Sequence, residues 1–382
     1  MGMSLALDMS LGSGGNFAPG LETADFLTAT YVGSRPAVSR NSVSYAETVA
    51  GLLQSFPANT LRITDKGMLK PEPAATNLFL RSGDASNAAW ARSAVSVTAN
   101  AATGVMGTAT ATKIASSSAA SIAHSHQQGQ FTVANNGVVS QWRVLKKAEL
   151  NWVYLALFNG GVYTGAYFDL DAGVVGTVES GVVATMHAMA NGFYFCAITK
   201  QLSGANVYGS LLLTNADNSG ATVTLSVGQG VYQDIGQLEV SLAPTSYIPT
   251  TTVSADRPAE AIFLRLPPGT GSLLFTMDDD STSELSLLAG LSSYTLPTDM
   301  ALGGRFYIKT LATQSTGATV GVPAGAVSHY DFDNTIFYWN GSVRALTDLT
   351  AVGSGVYDHI NPPNFPTGEY TVSVDYTFNP DY

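Results

Sequence analysis

Along much of the chain, apolar and polar residues alternate one for one. In "TVTLSV" (222–227), Val223, Leu225 and Val227 fall on one side, with Thr and Ser on the other. In "YTVSVDYTF" (370–378), Tyr370, Val372, Val374, Tyr376 and Phe378 share a side in the same way. Successive side chains of a pleated strand point to opposite faces, so a period of two predicts strands with one buried face. "NWVYLALF" (151–158) is apolar on both sides and suits a strand held between two layers. Helical recurrence is scarce; "SYAETVAGLL" (44–53) is a stretch compatible with a short helical turn.

Turn chemistry points the same way. Asn-Gly occurs at 136–137, 159–160, 191–192 and 340–341, each time between strand-like runs. Both residues tolerate the positive φ that tight hairpins demand, so these pairs predict antiparallel connections. No strand–helix alternation of the kind a parallel sheet requires is visible. The fold class is therefore expected to be all-β. "QLEVSLAPTSYIPTTTVSADRP" (237–258) begins as a strand through Leu242 and then becomes an uncharged stretch stiffened by Pro244 and Pro249. New strand-like runs follow it in "AEAIFLRLPPG", "GSLLFTM" and "SELSLLAG". The segment is expected to close one β domain and lead into another.

Composition narrows the function. Of 382 residues, 45% are hydrophobic but only 12% charged, so hydroxyls, amides and glycine must cover the surface. Such an exterior tolerates close packing in an assembly. Seventeen basic residues against twenty-eight acidic ones give a net charge of −11, which argues against a phosphate-neutralising nucleic-acid binder. The densest basic cluster, "WRVLKK" with Arg143, Lys146 and Lys147, reads as a solvated strand end. The single cysteine, Cys196 in "GFYFCAITK", reads as a small buried hydrophobe. "MGMSLALDMSLGSGG" lacks a basic leader with an apolar core, and no apolar run reaches the ~20 residues of a membrane helix. The expectation is synthesis in the bacterial cytoplasm without membrane insertion.

Two segments carry a family resemblance. The first, "GMLKPEPAATNLFLRSGDASNAAWARSAVSVTANAATG" (67–104), presents Glu72, Pro73, Thr76, Asn77, Leu78, Ser82, Asp84, Asn87 and Trp90 in order. The second presents Gln237, Leu238, Glu239, then Thr245, Ser246, Tyr247, Ile248, Pro249 and Thr250. This pair of motifs resembles the brackets of a domain in bacteriophage and gene-transfer-agent head-spike and tail-fibre proteins. Residues 257–312 show a weaker likeness to a small β unit that follows this module in phage proteins, and 313–382 match no known pattern. The resemblance implies a jelly-roll β-sandwich like a carbohydrate-binding module at 77–250. Around it, 1–76, rich in Gly, Ser and short strand-like runs, is expected to be an N-terminal attachment and oligomerisation region, 251–312 a small β domain and 313–382 a C-terminal β domain. The resemblance further implies a homo-oligomer on the virion surface, a trimer on a fibre or a pentamer at a capsid vertex. Such a protein would contact other virion proteins and host capsular or lipopolysaccharide glycans as an adhesin. The alternatives are a purely structural spike base or capsid decoration protein and, less favoured, a polysaccharide depolymerase.

Saccharides present C–H faces that stack on aromatic rings and hydroxyls that bond to amides and carboxylates. The stretch 142–171 is richest in both, and Trp142, Trp152, Tyr154, Tyr163, Tyr167 and Asp169 are the candidate sugar-binding residues. In strands, Trp152 and Tyr154 share one face, as do Tyr167 and Asp169. Trp90 is expected to plug the core. His124 and His126 in "HSH" read as a solvated strand edge rather than metal ligands. "MDDDSTSE" (277–284) lacks the spacing of a calcium loop and reads as a charged hairpin tip. No nucleophile elbow, P-loop, His-Glu-x-x-His or paired-cysteine spacing is present, and no β-helix repeat of a depolymerase is visible. Neither enzymatic activity nor a cofactor is expected.

Overall fold

A computed structural model describes residues 20–288, 290–300 and 306–315, and the strands Ser328–Asp331, Thr335–Tyr338 and Ser342–Ala345. The expected strand at 370–378 lies outside these residues. Among the described residues the molecule is all-β, with one 3-10 turn at Ala190–Gly192.

The central body is a sandwich of two six-stranded antiparallel sheets. Its strands are β1 (Ala91–Ser93), β2 (Val95–Thr103), β3 (Ala109–Ser116), β4 (Ser125–Thr132), β5 (Val138–Lys147) and β6 (Trp152–Asn159). They continue with β7 (Val162–Asp169), β8 (Val174–Val178), β9 (Val182–Ala188), β10 (Tyr194–Gln201), β11 (Asn206–Thr214) and β12 (Gly230–Glu239). The first sheet runs β2-β3-β12-β5-β10-β9 and the second β8-β7-β6-β11-β4-β1. Within them, β3-β12-β5-β10 faces β4-β11-β6-β7, and the chain crosses between sheets in jelly-roll order. β6, read as apolar on both sides, turns Val153, Leu155 and Leu157 inward to Ile114, Val139, Ile198 and Leu238. Trp90 and Cys196 join this core, and burial pushes the Cys196 thiol far up, which leaves it an inert hydrophobe.

Several local expectations are corrected. "TVTLSV" forms only a single bridge, Val223 to Ile122; Val223 and Leu225 enter the core while Val227 is exposed. The strand that closes the sandwich stops at Glu239, and Leu242 is 84% exposed. Asn191-Gly192 turns the β9–β10 hairpin with both φ positive, and Gly160-Gly161, after Asn159, turns β6–β7. Asn136-Gly137, however, carries the chain from β4 in one sheet to β5 in the other. Arg143 is no solvated strand end: it is fully buried between the sheets. His124 and His126 are equally buried. His126 stacks on Trp90 at 4.9 Å, and both His124 ring nitrogens meet backbone carbonyls, of Ala94 at 3.1 Å and Val223 at 3.2 Å.

A second body combines residues from both sides of the sandwich. Thr23–Asp25 pairs with Tyr307–Ser315, Gly67–Leu69 with Tyr307–Ile308, and Ala37–Ser39 with Ala261–Arg265. The sequence division sets 1–76 apart from 251–312, but their strands share sheets and a core that includes Phe26, Met68, Ile262, Phe275 and Leu311. Strands of two to four residues cannot bury an apolar face alone, so the flanking segments complete one another. "SYAETVAGLL" is not helical. It makes the hairpin Ser44–Glu47/Leu53–Phe56, which lies against the outer face of the first sheet. Leu53 N–H donates to Val105 O at 2.9 Å, and Ala190 N–H to Gly51 O at 2.9 Å. Asp278–Ser281 forms the expected hairpin tip between Thr270–Met277 and Thr282–Ser286.

The two bracketing motifs meet in space. Asn77 Nδ2 donates to Ile248 O at 2.8 Å and its Oδ1 accepts from Leu238 N–H. Ser82 and Thr250 exchange backbone-to-hydroxyl bonds at 3.0 Å, and Ser82 Oγ contacts the Tyr247 hydroxyl at 3.0 Å. Gln237 Oε1 accepts from Ile248 N–H, and Glu239 from Thr245 N–H and Oγ1. Burial raises the Glu239 carboxyl despite these donors. The motif side chains thus latch the way into the sandwich to the way out.

Candidate functional site

Of the two outer faces of the sandwich, the first sheet's is largely occupied. Trp142 lies there, 2% exposed, packed against Phe195 at 5.2 Å and Tyr247 at 6.0 Å beneath the 44–56 hairpin. His187 and Glu47 bond across the same boundary at 3.0 Å. Trp142 therefore has no ring face for a ligand.

The outer face of the second sheet brings together the other five candidates. Strand register sets its side chains in cross-strand rows. Trp152 lines up with Asp169 and Thr214, and Tyr154 with Tyr167, Leu212 and Ser125. Ala156 lines up with Gly165, Ser210 and Gln127, and Phe158 with Tyr163 and Tyr208. Two of these rows differ sharply in access.

The Tyr154–Tyr167 row is closed. The rings stack with centroids 4.4 Å apart and are 2% and 1% exposed. Glu179, just past β8, covers one side: its Oε2 accepts from Tyr154 OH at 2.8 Å and from Gly165 N–H at 2.7 Å. The 215–222 loop covers the other, with Gly220 N–H donating to Tyr167 Oη at 3.0 Å and Ala221 packed alongside. Burial, then the Glu179 carboxylate, drives the Tyr154 phenol far up; burial also raises Tyr163 and Tyr167. All three are neutral hydroxyls at physiological pH.

The Phe158–Tyr163–Tyr208 row is partly open. Phe158 packs against Tyr163 at 4.7 Å and edge-on to Tyr208 at 5.8 Å. Beside it the half-buried Gln127 adds an amide to the border, its Oε1 accepting from the fully buried Ser210 Oγ at 3.0 Å. Gly129 permits the Tyr208 ring position: a Cβ there would lie 2.8 Å from the ring, and its φ of +144° is one that L residues rarely adopt. At the far end Trp152 is half-buried against Gly176, where a Cβ would come within 2.5 Å of the indole. Asp217 holds that wall by accepting from Thr177 N–H at 2.9 Å and Oγ1 at 3.0 Å. Asp169 is spent on the β7–β8 turn, where its Oδ1 accepts from Asp171 and Ala172 N–H.

The face thus offers partly open rings, neutral phenols, an amide and a carboxylate. Glu179 Oε1 carries no hydrogen bond among the described residues. Such a set can stack on an apolar ring face and both donate to and accept from hydroxyls. Phe158, Tyr208, Gln127 and Glu179 were not among the sequence candidates. Phe158 has the strand parity of Trp152 and Tyr154 and was within reach of that argument. Tyr208 arrives only through β11 pairing with β6, some fifty residues away. Among the described residues, no group of three or more His, Cys, Asp or Glu is placed to hold a metal ion. No protein-family model matches the chain, nor does any curated protein sequence.

Proposed function

We propose that the protein is an adhesive surface component of a phage-like particle and binds host polysaccharide on the outer face of the second sheet. The observation that supports this reading is the asymmetry of the sandwich. One outer face is occupied by the second body, and the other carries a partly open aromatic row edged by an amide and a carboxylate. The motif resemblance to head-spike and tail-fibre modules supplies the biological setting, and the sparsely charged exterior suits packing against sister copies in a homo-oligomer. Single-site binding is then weak, and repetition in the assembly supplies avidity.

Glycan-array binding of the full chain, followed by titration calorimetry on hits, tests the proposal. Tyr163→Ala and Tyr208→Ala should each weaken binding about tenfold, the loss expected for one stacking ring, while the variants still unfold in one cooperative thermal transition. Absence of binding to any bacterial surface glycan at millimolar sugar would instead favour a purely structural spike base.

A further inference from the structure

The charges around the second sheet's outer face are one-sided. Its six strands contain one carboxylate, Asp169, and one arginine, Arg92. The connections that fold over the face add Asp171, Glu179 and Asp217. Arg92 is tied down, with its guanidinium donating to Ser86 O and Asn87 O. It also sits between Ala91 and Ser93, whose register with Gln127 and Ser125 assigns the outer face to them and not to it. Asp171 is paired with Lys147, which belongs to the first sheet. Lys113 and Lys146 likewise lie on strands of the first sheet, as does Lys200, whose ammonium reaches the edge of the second sheet and donates to Ser180 O at 3.3 Å. What remains beside the aromatic rows is Glu179, with a free Oε1, and Asp217, held at the rim by Thr177.

Glu179 also lies close to the open row. Its N–H bonds to Gly165 O at 3.0 Å, and Gly165 is two residues from Tyr163 on the same face of β7. A carboxylate accepts strong hydrogen bonds from sugar hydroxyls or an amino group. The same carboxylate repels a uronate, sialate or phosphate; the nearby Lys200 is held at Ser180 O from the first sheet, and no strand of this face carries a lysine.

On the reading that this face binds glycan, we infer that it selects neutral or amino-sugar polysaccharide and discriminates against acidic polysaccharide, with Glu179 and Asp217 as the discriminating groups. A matched pair of probes tests this directly: oligogalacturonate and the galactan obtained from it by carboxyl reduction, which share a backbone and differ in charge. They are titrated into the full chain at low and high salt, beside an array of neutral and acidic bacterial glycans. The reduced, neutral probe should bind at least about tenfold tighter at low salt, and salt should narrow the gap by screening. Glu179→Gln, which keeps an acceptor for Tyr154 OH, and Asp217→Asn should together bring the two probes within about threefold. Equal or tighter binding of the acidic probe and of acidic array glycans would overturn the inference while leaving glycan binding intact. If neither probe nor any array glycan binds, the underlying reading falls and this one with it.

Discussion

Arg143 stands fully buried between the two sheets without a carboxylate beside it. Its Nη1 donates to Gln233 Oε1 at 2.7 Å, its Nη2 to the carbonyls of His126 and Gly209, and its guanidinium lies 4.8 Å from the Trp90 ring centroid. Burial lowers its pKa to about 9, so it is still charged at neutral pH. A cation tolerated this way depends on several fixed acceptors and a π face. Arg143→Met should therefore destabilise the fold by about 2–4 kcal/mol in urea unfolding, since it strands Gln233 and two carbonyls. Arg143→Lys should recover little of that loss, because one ammonium cannot span the same acceptors. An Arg143→Met variant as stable as the parent would show the charge to be merely accommodated. Such a residue is hard to read from sequence, where "WRVLKK" looks like any basic strand end. Trp90 was legible because a large ring beside strand-like sequence usually packs inward.

At the scale of elements, "NWVYLALF" is a strand with a core side, but its outer side has no second layer: Glu179 and the 215–222 loop close its middle and Phe158 stays partly open. What alternation could not supply was sheet membership. Asn136-Gly137 and Asn191-Gly192 look alike in sequence, yet one crosses between sheets and the other closes a hairpin, because the choice rests on long-range pairing. For the same reason the 44–56 hairpin was missed: four-residue strands carry too little periodicity, and their stability comes from the face they cover. Gly51 at its tip is bound to that role. Its φ is +76°, and a Cβ there would sit 2.5 Å from Ala190 N. Gly51→Val should lift the hairpin from the first sheet. Hydrogen exchange at Leu53 and Ala190 N–H should then accelerate by at least about tenfold, while β6 and β11 amides keep their protection. Unchanged exchange at those two amides would show that the hairpin is not seated through this contact.

For the molecule as a whole, the question is what holds the second body to the sandwich. The chain enters and leaves through the paired strands Ala75–Asn77 and Ala255–Arg257. Beside them a buried charge cluster joins Arg40, Arg62 and Glu72 from before the sandwich to Ser246, Arg257 and Glu260 from after it. Arg40 and Arg62 pair with Glu260, and Arg62 and Arg257 with Glu72. Ser246 Oγ donates to Glu72 at 2.5 Å. Burial alone would raise the Glu72 carboxyl, but Arg257 and Arg62 outweigh it and hold the pKa at about 2, against an ordinary 4.5. A depressed carboxylate contributes stability above its unfolded pKa and loses it as pH falls toward the folded one. Glu72 should thus contribute about 3 kcal/mol near neutrality, lost between roughly pH 4.5 and 2. Asp234 and Glu239 work in the opposite sense: burial raises both, so they favour the fold at low pH and weaken it as pH rises through their folded values. Comparison with Glu72→Gln isolates the first effect from the second. The variant should be less stable than the parent at pH 7 by about 3 kcal/mol, and the two unfolding curves should converge as pH approaches 2. A gap that stayed constant from pH 7 to pH 2 would mean that Glu72 contributes through its shape alone, and the ionic joint between the bodies would have to be abandoned.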